Sequence, residues 1–156
     1  MKALSIREAT IDDIEFLVSV LLLADRDRLA TTDGWDSDRF VDRSRAATTE
    51  EVAGKVENSS TYVVEADTTP VGRLRVVRSR EGLLIAGIQI LPVHQRKGIG
   101  SELIRSVIGE AKQKALPVRL EVVKASPDAK RFYLRLGFEV IQDRDDRELM
   151  EMRFDA

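Results

Sequence analysis

Three apolar stretches rich in β-branched residues follow one another with no helical pattern between them: "STYVVEA" at 60–66, "VGRLRVV" at 71–77 and "GLLIAGIQIL" at 82–91. The turn-forming segments "DTTP" and "RSRE" separate them, which predicts two successive hairpins and three antiparallel strands. The periodicity then changes: Ile99, Leu103, Ile104, Val107, Ile108 and Ala111 recur at helical spacing and predict an amphipathic helix ending near Lys114. "LPVRLEVVK" adds a strand, so the helix crosses between two strands. Ser126 and Pro127 have the chemistry of an N-cap and a first helical residue for "PDAKRFYLRL", and Gly137 is placed to stop that helix. "FEVIQ" and "ELMEMRF" predict a last hairpin. Upstream, "LSIREA" reads as a strand. Thr10, three residues before Asp13, suggests a capping box, and Ile14, Leu17, Val18, Leu21 and Leu22 mark a helix. Between Asp33 and Asn58 the pattern supports only a helix over 38–45, with loop around it. The fold expected is a mixed α/β one, a mostly antiparallel central sheet of about seven strands with helices on both faces.

Composition narrows the class. A chain of 156 residues, 43% hydrophobic and 33% charged, can bury one substantial core, and 1–156 reads as a single domain. A net charge of −2 argues against a nucleic-acid partner, which normally calls for a basic face. With no cysteine and one histidine, thiolate and multi-histidine metal sites are excluded. The longest early apolar run, "FLVSVLLLA", is too short to span a bilayer, and the acidic start does not resemble a signal peptide, so a cytoplasmic protein is expected, with no membrane partner.

The segment "ILPVHQRKGIGSELI" at 90–104 brings a strand to a proline, passes a basic stretch and two glycines, and enters a helix. Amides of Arg96, Lys97, Gly98, Ile99 and Gly100 at a helix N-terminus favour an anion, and the glycines let a diphosphate approach the backbone. This is not a P-loop, and Leu103 occupies the third glycine position of a dinucleotide fingerprint.

Two motifs in order carry a resemblance. "QRKGIG" after the proline-containing strand exit and "RFYLRLGFEV" downstream are similar to the hallmarks of the GNAT superfamily of acetyl-CoA-dependent N-acetyltransferases, over most of the chain from Thr61 to Phe154. The resemblance implies a splayed fourth and fifth strand pair, opened by a bulge. The pantetheine arm of acetyl-CoA, the co-substrate, would lie there along the backbone of Ile88, Gln89 and Ile90. The diphosphate would rest on the loop that begins at Gln95, against Arg96, Lys97, Gly98, Ile99, Gly100 and Ser101. Ser126 stands where the family usually has an asparagine that bonds the CoA arm; a serine before proline is also explained as an N-cap alone. Dimers built through the C-terminal strands are frequent in the family, so a homodimer is a possibility the resemblance raises.

Tyr133 matches the tyrosine that protonates the departing thiolate in such proteins; otherwise it is a packing residue. The strand "GLLIAGIQIL" has no acid, so the remaining candidate base is Glu121, at the position used in the ribosomal-protein alanine N-acetyltransferases that "LEVVK" resembles. The other reading of Glu121 is a structural ion pair with Arg73 or Arg75. His94 is read as an exposed loop histidine. Trp35, with Asp33, Asp36 and Asp38, either holds a cationic amine or pins its loop to the core. The function implied is acetyl transfer to a primary amine of a small molecule or peptide; the alternative is a catalytically silent acyl-CoA-binding sensor or regulatory module.

Overall fold

The computed structural model describes residues 3–24 and 34–154. Seven strands form one sheet in the order β1-β2-β3-β4-β5-β7-β6. The chain divides into two compact units, Met1–Arg75 with Gly87–Leu103, and Val76–Ala86 with Ile104–Ala156.

In the first unit, β1 (Leu4–Glu8) pairs antiparallel with β2 (Ser59–Ala66), from Leu4 opposite Ala66 to Glu8 opposite Tyr62. Thr10 and Asp13 behave as the sequence suggests. The Asp13 carboxylate accepts the Thr10 amide at 2.8 Å and a fork from Arg7 at 2.8 and 2.9 Å, fixing a short 3-10 turn that leads into α1 (Ile14–Ala24). That pairing holds the Asp13 carboxyl at about 2, the Arg7 bond being the largest cause. Leu17, Val18 and Val20 bury the apolar face of α1.

The next helix, α2 (Ser37–Val52), runs well past the expected end at Arg45. Its buried positions include Ser44 and Thr48, small polar residues that leave no apolar stripe in the sequence. Asp36 caps it by accepting the Arg39 amide at 3.1 Å, and Arg45 ties it to Glu15 of α1 at 2.7 Å.

β3 (Thr69–Ser79) follows β2 through a shorter turn than "DTTP" suggested. Asp67 and Thr68 both adopt left-handed backbone, φ 49° and 69°, the conformation that lets a two-residue turn match the twist of its strands. Pro70 therefore lies inside the strand.

β4 (Gly82–Ile90) carries an irregularity that matters below. Two turn residues, Arg80–Glu81, separate Ser79 from Gly82, while the Leu91 amide donates to the Val71 carbonyl at 2.9 Å. Between those two points β4 has one more residue than β3, which defines a bulge. Leu83, Ile85 and Ile90 are the buried apolar positions of β4.

In the second unit, β4 pairs parallel with β5 (Val118–Val123) over Leu83–Ile85 against Val118–Leu120, short of the Ile90 end of β4. β7 (Arg147–Met152) pairs antiparallel with β5 along its length and with the edge strand β6 (Glu139–Arg144) on its other side. The crossover helix α3 (Ile99–Lys114) ends where the sequence placed its end. From Ile104 on it contributes Ile104, Val107 and Ala111 to a core with Val118, Leu120, Val122 and Met150. Helix α4 (Pro127–Leu136) likewise matches its sequence limits.

Candidate active site

The site residues expected from the sequence fall into two groups, one in each compact unit. In the first unit, the Ile90 end of β4 passes into a 3-10 turn at Pro92–His94. The Gln95 amide side chain turns back and donates to the Ile90 carbonyl at 2.9 Å, anchoring the loop to its strand. His94 is half-buried in that turn, a correction to its reading as an exposed loop residue. Arg96 and Gly98 take left-handed backbone, φ 63° and 81°. The first bond of the α3 ladder runs from the Glu102 amide to the Gly98 carbonyl at 3.0 Å. The amides of Ile99 and Gly100 therefore precede the ladder, where helix donors and the positive end of the dipole face outward.

The two glycines serve different needs. Gly98 combines a left-handed φ with open space, since a Cβ there would meet nothing within 4 Å. Gly100 has ordinary helical backbone and would meet only the Ile88 methyl at 4.0 Å. Arg96 and Lys97 are exposed beside them. A loop with exposed cations, outward amides and nothing over Gly98 has the shape and charge to accept a diphosphate.

In the second unit, the "FYLRLGF" motif forms a Schellman cap. The Gly137 amide donates to the Leu134 carbonyl at 3.1 Å and the Phe138 amide to the Tyr133 carbonyl at 3.0 Å, with Gly137 at φ 111°. This closure brings Phe138, fully buried, edge-on to the Tyr133 ring at 5.8 Å; the Phe132 ring is also edge-on to it, at 5.3 Å. The motif thus fixes the tyrosine ring by backbone bonding and aromatic packing. Burial raises the Tyr133 pKa, so the phenol stays protonated at neutral pH and is available as an acid.

Ser126 occupies the N-cap position of α4, with φ −118° and ψ 71°, but its hydroxyl makes no capping bond. The expectation that capping accounts for it is corrected. The ion-pair partners expected for Glu121 are corrected as well. Glu121 stands exposed on β5 opposite Leu149, 3.6 Å from Arg144 and not with Arg73 or Arg75, which are both held by Glu51. Its side chain is 36% exposed and open to solvent-borne partners.

Trp35 is half-buried against Phe40, ring centroids 5.2 Å apart. Asp36 is engaged as the α2 cap, and Asp33 lies outside the described residues. What sequence reasoning missed is the Glu51–Arg73–Gln89 cluster. An arginine in mid-strand between apolar neighbours was its only local signal, because Glu51 comes from a helix end far along the chain.

A family model described as "Acetyltransferase (GNAT) domain" matches residues 30–152. The chain belongs to this family. Solved GNAT-fold structures agree. The PaiA N-acetyltransferase of Thermoplasma acidophilum, solved in complex with coenzyme A, superimposes with TM-score 0.81 at 19% identity, over 97% of this chain and 99% of that one. An acetyltransferase from Thermus thermophilus gives 0.73 at 17% identity, covering 97% of each chain. A transcriptional regulator from Bacillus halodurans gives 0.66 at 28% identity, over 91% of this chain and 97% of that chain. A comparison with curated proteins finds no match. The GNAT acetyltransferase fold supports acyl transfer from acetyl-CoA. Among the described residues no helix is long and apolar enough to cross a membrane, and no cluster of His, Cys, Asp or Glu could hold a metal ion.

Proposed function

We propose that residues 1–156 act as an N-acetyltransferase domain, moving the acetyl group of acetyl-CoA directly to a primary amine of a small molecule or peptide. The observation that carries this is the glycine loop: outward amides and exposed Arg96 and Lys97 around a left-handed Gly98 with open space above it. The coenzyme A bound in the Thermoplasma neighbour supports the same ligand here.

In this reading the amides from Arg96 to Ser101 take the diphosphate, and the backbone of Ile88, Gln89 and Ile90 takes the pantetheine arm, with the bulge of β4 freeing it. The Ile90 carbonyl is bonded to Gln95; in this reading its amide serves as a donor to the thioester oxygen. The Ser126 hydroxyl, unused as a cap, is available to the same arm. The neutral amine attacks the acetyl carbonyl and a tetrahedral intermediate forms. Glu121 accepts the proton lost from nitrogen. Tyr133 donates its proton to sulfur as the C–S bond breaks, leaving the amide and free CoA thiol. Trp35 is the candidate contact for the acceptor.

A second reading is favoured by two observations: β4 carries no acid, and the Bacillus halodurans neighbour is described as a transcriptional regulator. It makes the protein a silent acyl-CoA-binding module. Thiol release from acetyl-CoA across a panel of primary amines separates the two. The enzyme releases thiol only when a suitable amine is present; a binder takes up CoA and shows no amine-dependent release with any of them.

A further inference from the structure

The Arg73 side chain is buried beneath the coenzyme-binding end of β4, at 5% exposure. Its Nη1 donates to Gln89 Oε1 at 2.8 Å and its Nη2 to Glu51 Oε1 at 3.2 Å. Glu51, in the last turn of α2, also accepts the Thr61 hydroxyl at 2.9 Å and lies 3.8 Å from Arg75 Nε. The guanidinium is thus anchored from the helix side and reaches out to one residue of the strand. Its Nε is buried with no hydrogen-bond partner.

The neighbouring backbone is fitted to this side chain. Gly87 has no side chain where Arg73 Nη1 sits; a Cβ built there would collide with that nitrogen. Gly72, the residue before Arg73, faces the Gln89 carbonyl, which a Cβ would approach to 2.6 Å. Gly72, Arg73 and Gly87 are thus packed closely about Gln89.

Such an arrangement is a poor way to gain stability. Burying a guanidinium costs several kcal/mol even when it is paired, an unsatisfied Nε adds to the cost, and an apolar side chain of similar volume would hold the sheet as well. What an arginine adds is direction: a planar fork fixing one partner's position relative to another. The bulge makes such a device useful, because a strand with an extra residue lacks the regular ladder that would otherwise fix its backbone.

We propose that Arg73 is a positioning residue for the coenzyme: by clamping Gln89 from the Glu51 anchor, it holds the Ile88–Ile90 backbone of the irregular strand β4 in the conformation that takes the pantetheine arm. The inference rests on the acetyltransferase reading and adds to it a side chain that touches no substrate.

The test begins with calorimetric titration of CoA into the unaltered protein, so that the two ideas fail separately. If that protein binds no CoA, the acetyltransferase reading itself falls. Given binding, Gln89→Met removes the acceptor while keeping side-chain length, and should weaken CoA about tenfold, the loss expected for one hydrogen bond to a charged group. Gln89→Glu keeps an acceptor for the guanidinium and should lose clearly less CoA affinity than Gln89→Met. Gly87→Ala pushes the guanidinium off Gln89 and should weaken CoA similarly; added to Gln89→Met it should weaken CoA no further. In turnover, KM for acetyl-CoA should rise in the weakened variants while KM for the amine stays within about twofold. Folded Gln89→Met protein with unchanged CoA affinity would overturn the proposal, whatever its melting temperature. So would equal losses in Gln89→Met and Gln89→Glu.

Discussion

Substituting Gly98 by valine and Gly100 by alanine separates what the loop does for the fold from what it does for a ligand. At Gly98, φ is 81°, and a Cβ meets nothing within 4 Å, so the obstacle to valine is the backbone itself. A left-handed conformation costs an L-residue roughly 1–2 kcal/mol, and for a β-branched residue it is a true outlier. Gly98→Val should therefore lose about 1–2 kcal/mol, or relieve the strain by turning the loop away from φ 81°. At Gly100 the backbone is helical and the nearest atom to a new Cβ is the Ile88 methyl at 4.0 Å. Replacing glycine by alanine in a helix gains up to about 1 kcal/mol, less at this first turn. For a chain of this size each kcal/mol moves Tm by roughly 2–4 °C, so the two variants should melt on opposite sides of the parent. Binding follows a different order. Gly98→Val should lower CoA affinity at least about tenfold, because the amides that meet the diphosphate are re-aimed and the space above them is filled. Gly100→Ala should keep most of it. Differential scanning calorimetry and isothermal titration on the same samples give both quantities. A Gly98→Val protein that melts a few degrees low yet binds CoA as the parent does would refute the assignment of this loop.

Tyr133→Phe should leave folding intact, since the cap uses backbone groups and the Phe138 contact uses the ring. Turnover should fall about ten- to a thousandfold with the amine KM nearly constant, and parental kcat across the pH range would make Tyr133 a packing residue. Glu121→Gln should slow the reaction at neutral pH by about tenfold to ten-thousandfold. It should leave Tm unchanged because the 3.6 Å contact with Arg144 is exposed; lost stability with normal turnover would reverse that assignment. Glu110 is held at about 2, chiefly by the Arg78 fork at 2.7 and 3.0 Å and then by Lys114 at 2.9 Å. A depressed carboxyl stabilises the fold above its unfolded value near 4.5 and loses that contribution as pH falls toward 2. Between about pH 6 and pH 3 the parent should therefore lose more stability than Glu110→Gln; parallel denaturation curves would contradict it.

Much of this structure is legible from local signals. Helix α4 is bounded by Ser126–Pro127 and Gly137, residues whose backbone preferences act within one turn, and its limits match the structure. The apolar stripe of α3 and the β-branched stretches of β2 to β4 are equally local. α2 outruns its sequence signal because its buried face uses Ser44 and Thr48, which hydrophobic periodicity does not register. The turn in "DTTP" is shorter than its residue types suggest because Asp67 and Thr68 take left-handed backbone without glycine, which leaves Pro70 to the strand. For the site, the loop and the tyrosine motif were visible because each is a contiguous string with its own conformational demands. The pairing of Arg73 with Glu51, and of Glu121 with Arg144, depends on which distant segments the fold juxtaposes, and no local pattern encodes that.

Direct transfer between acetyl-CoA and an amine is tested most directly by following the acetyl carbon itself. In a single turnover, with the protein in excess over carbonyl-labelled [13C]acetyl-CoA and a primary amine accepted in the thiol-release panel, carbon NMR and mass spectrometry locate the label. The account predicts that all of it reaches the amine nitrogen as an amide, one for each thiol released and none on the protein. Label recovered as free acetate, fixed to the protein, or left on CoA while CoA stays bound would contradict it.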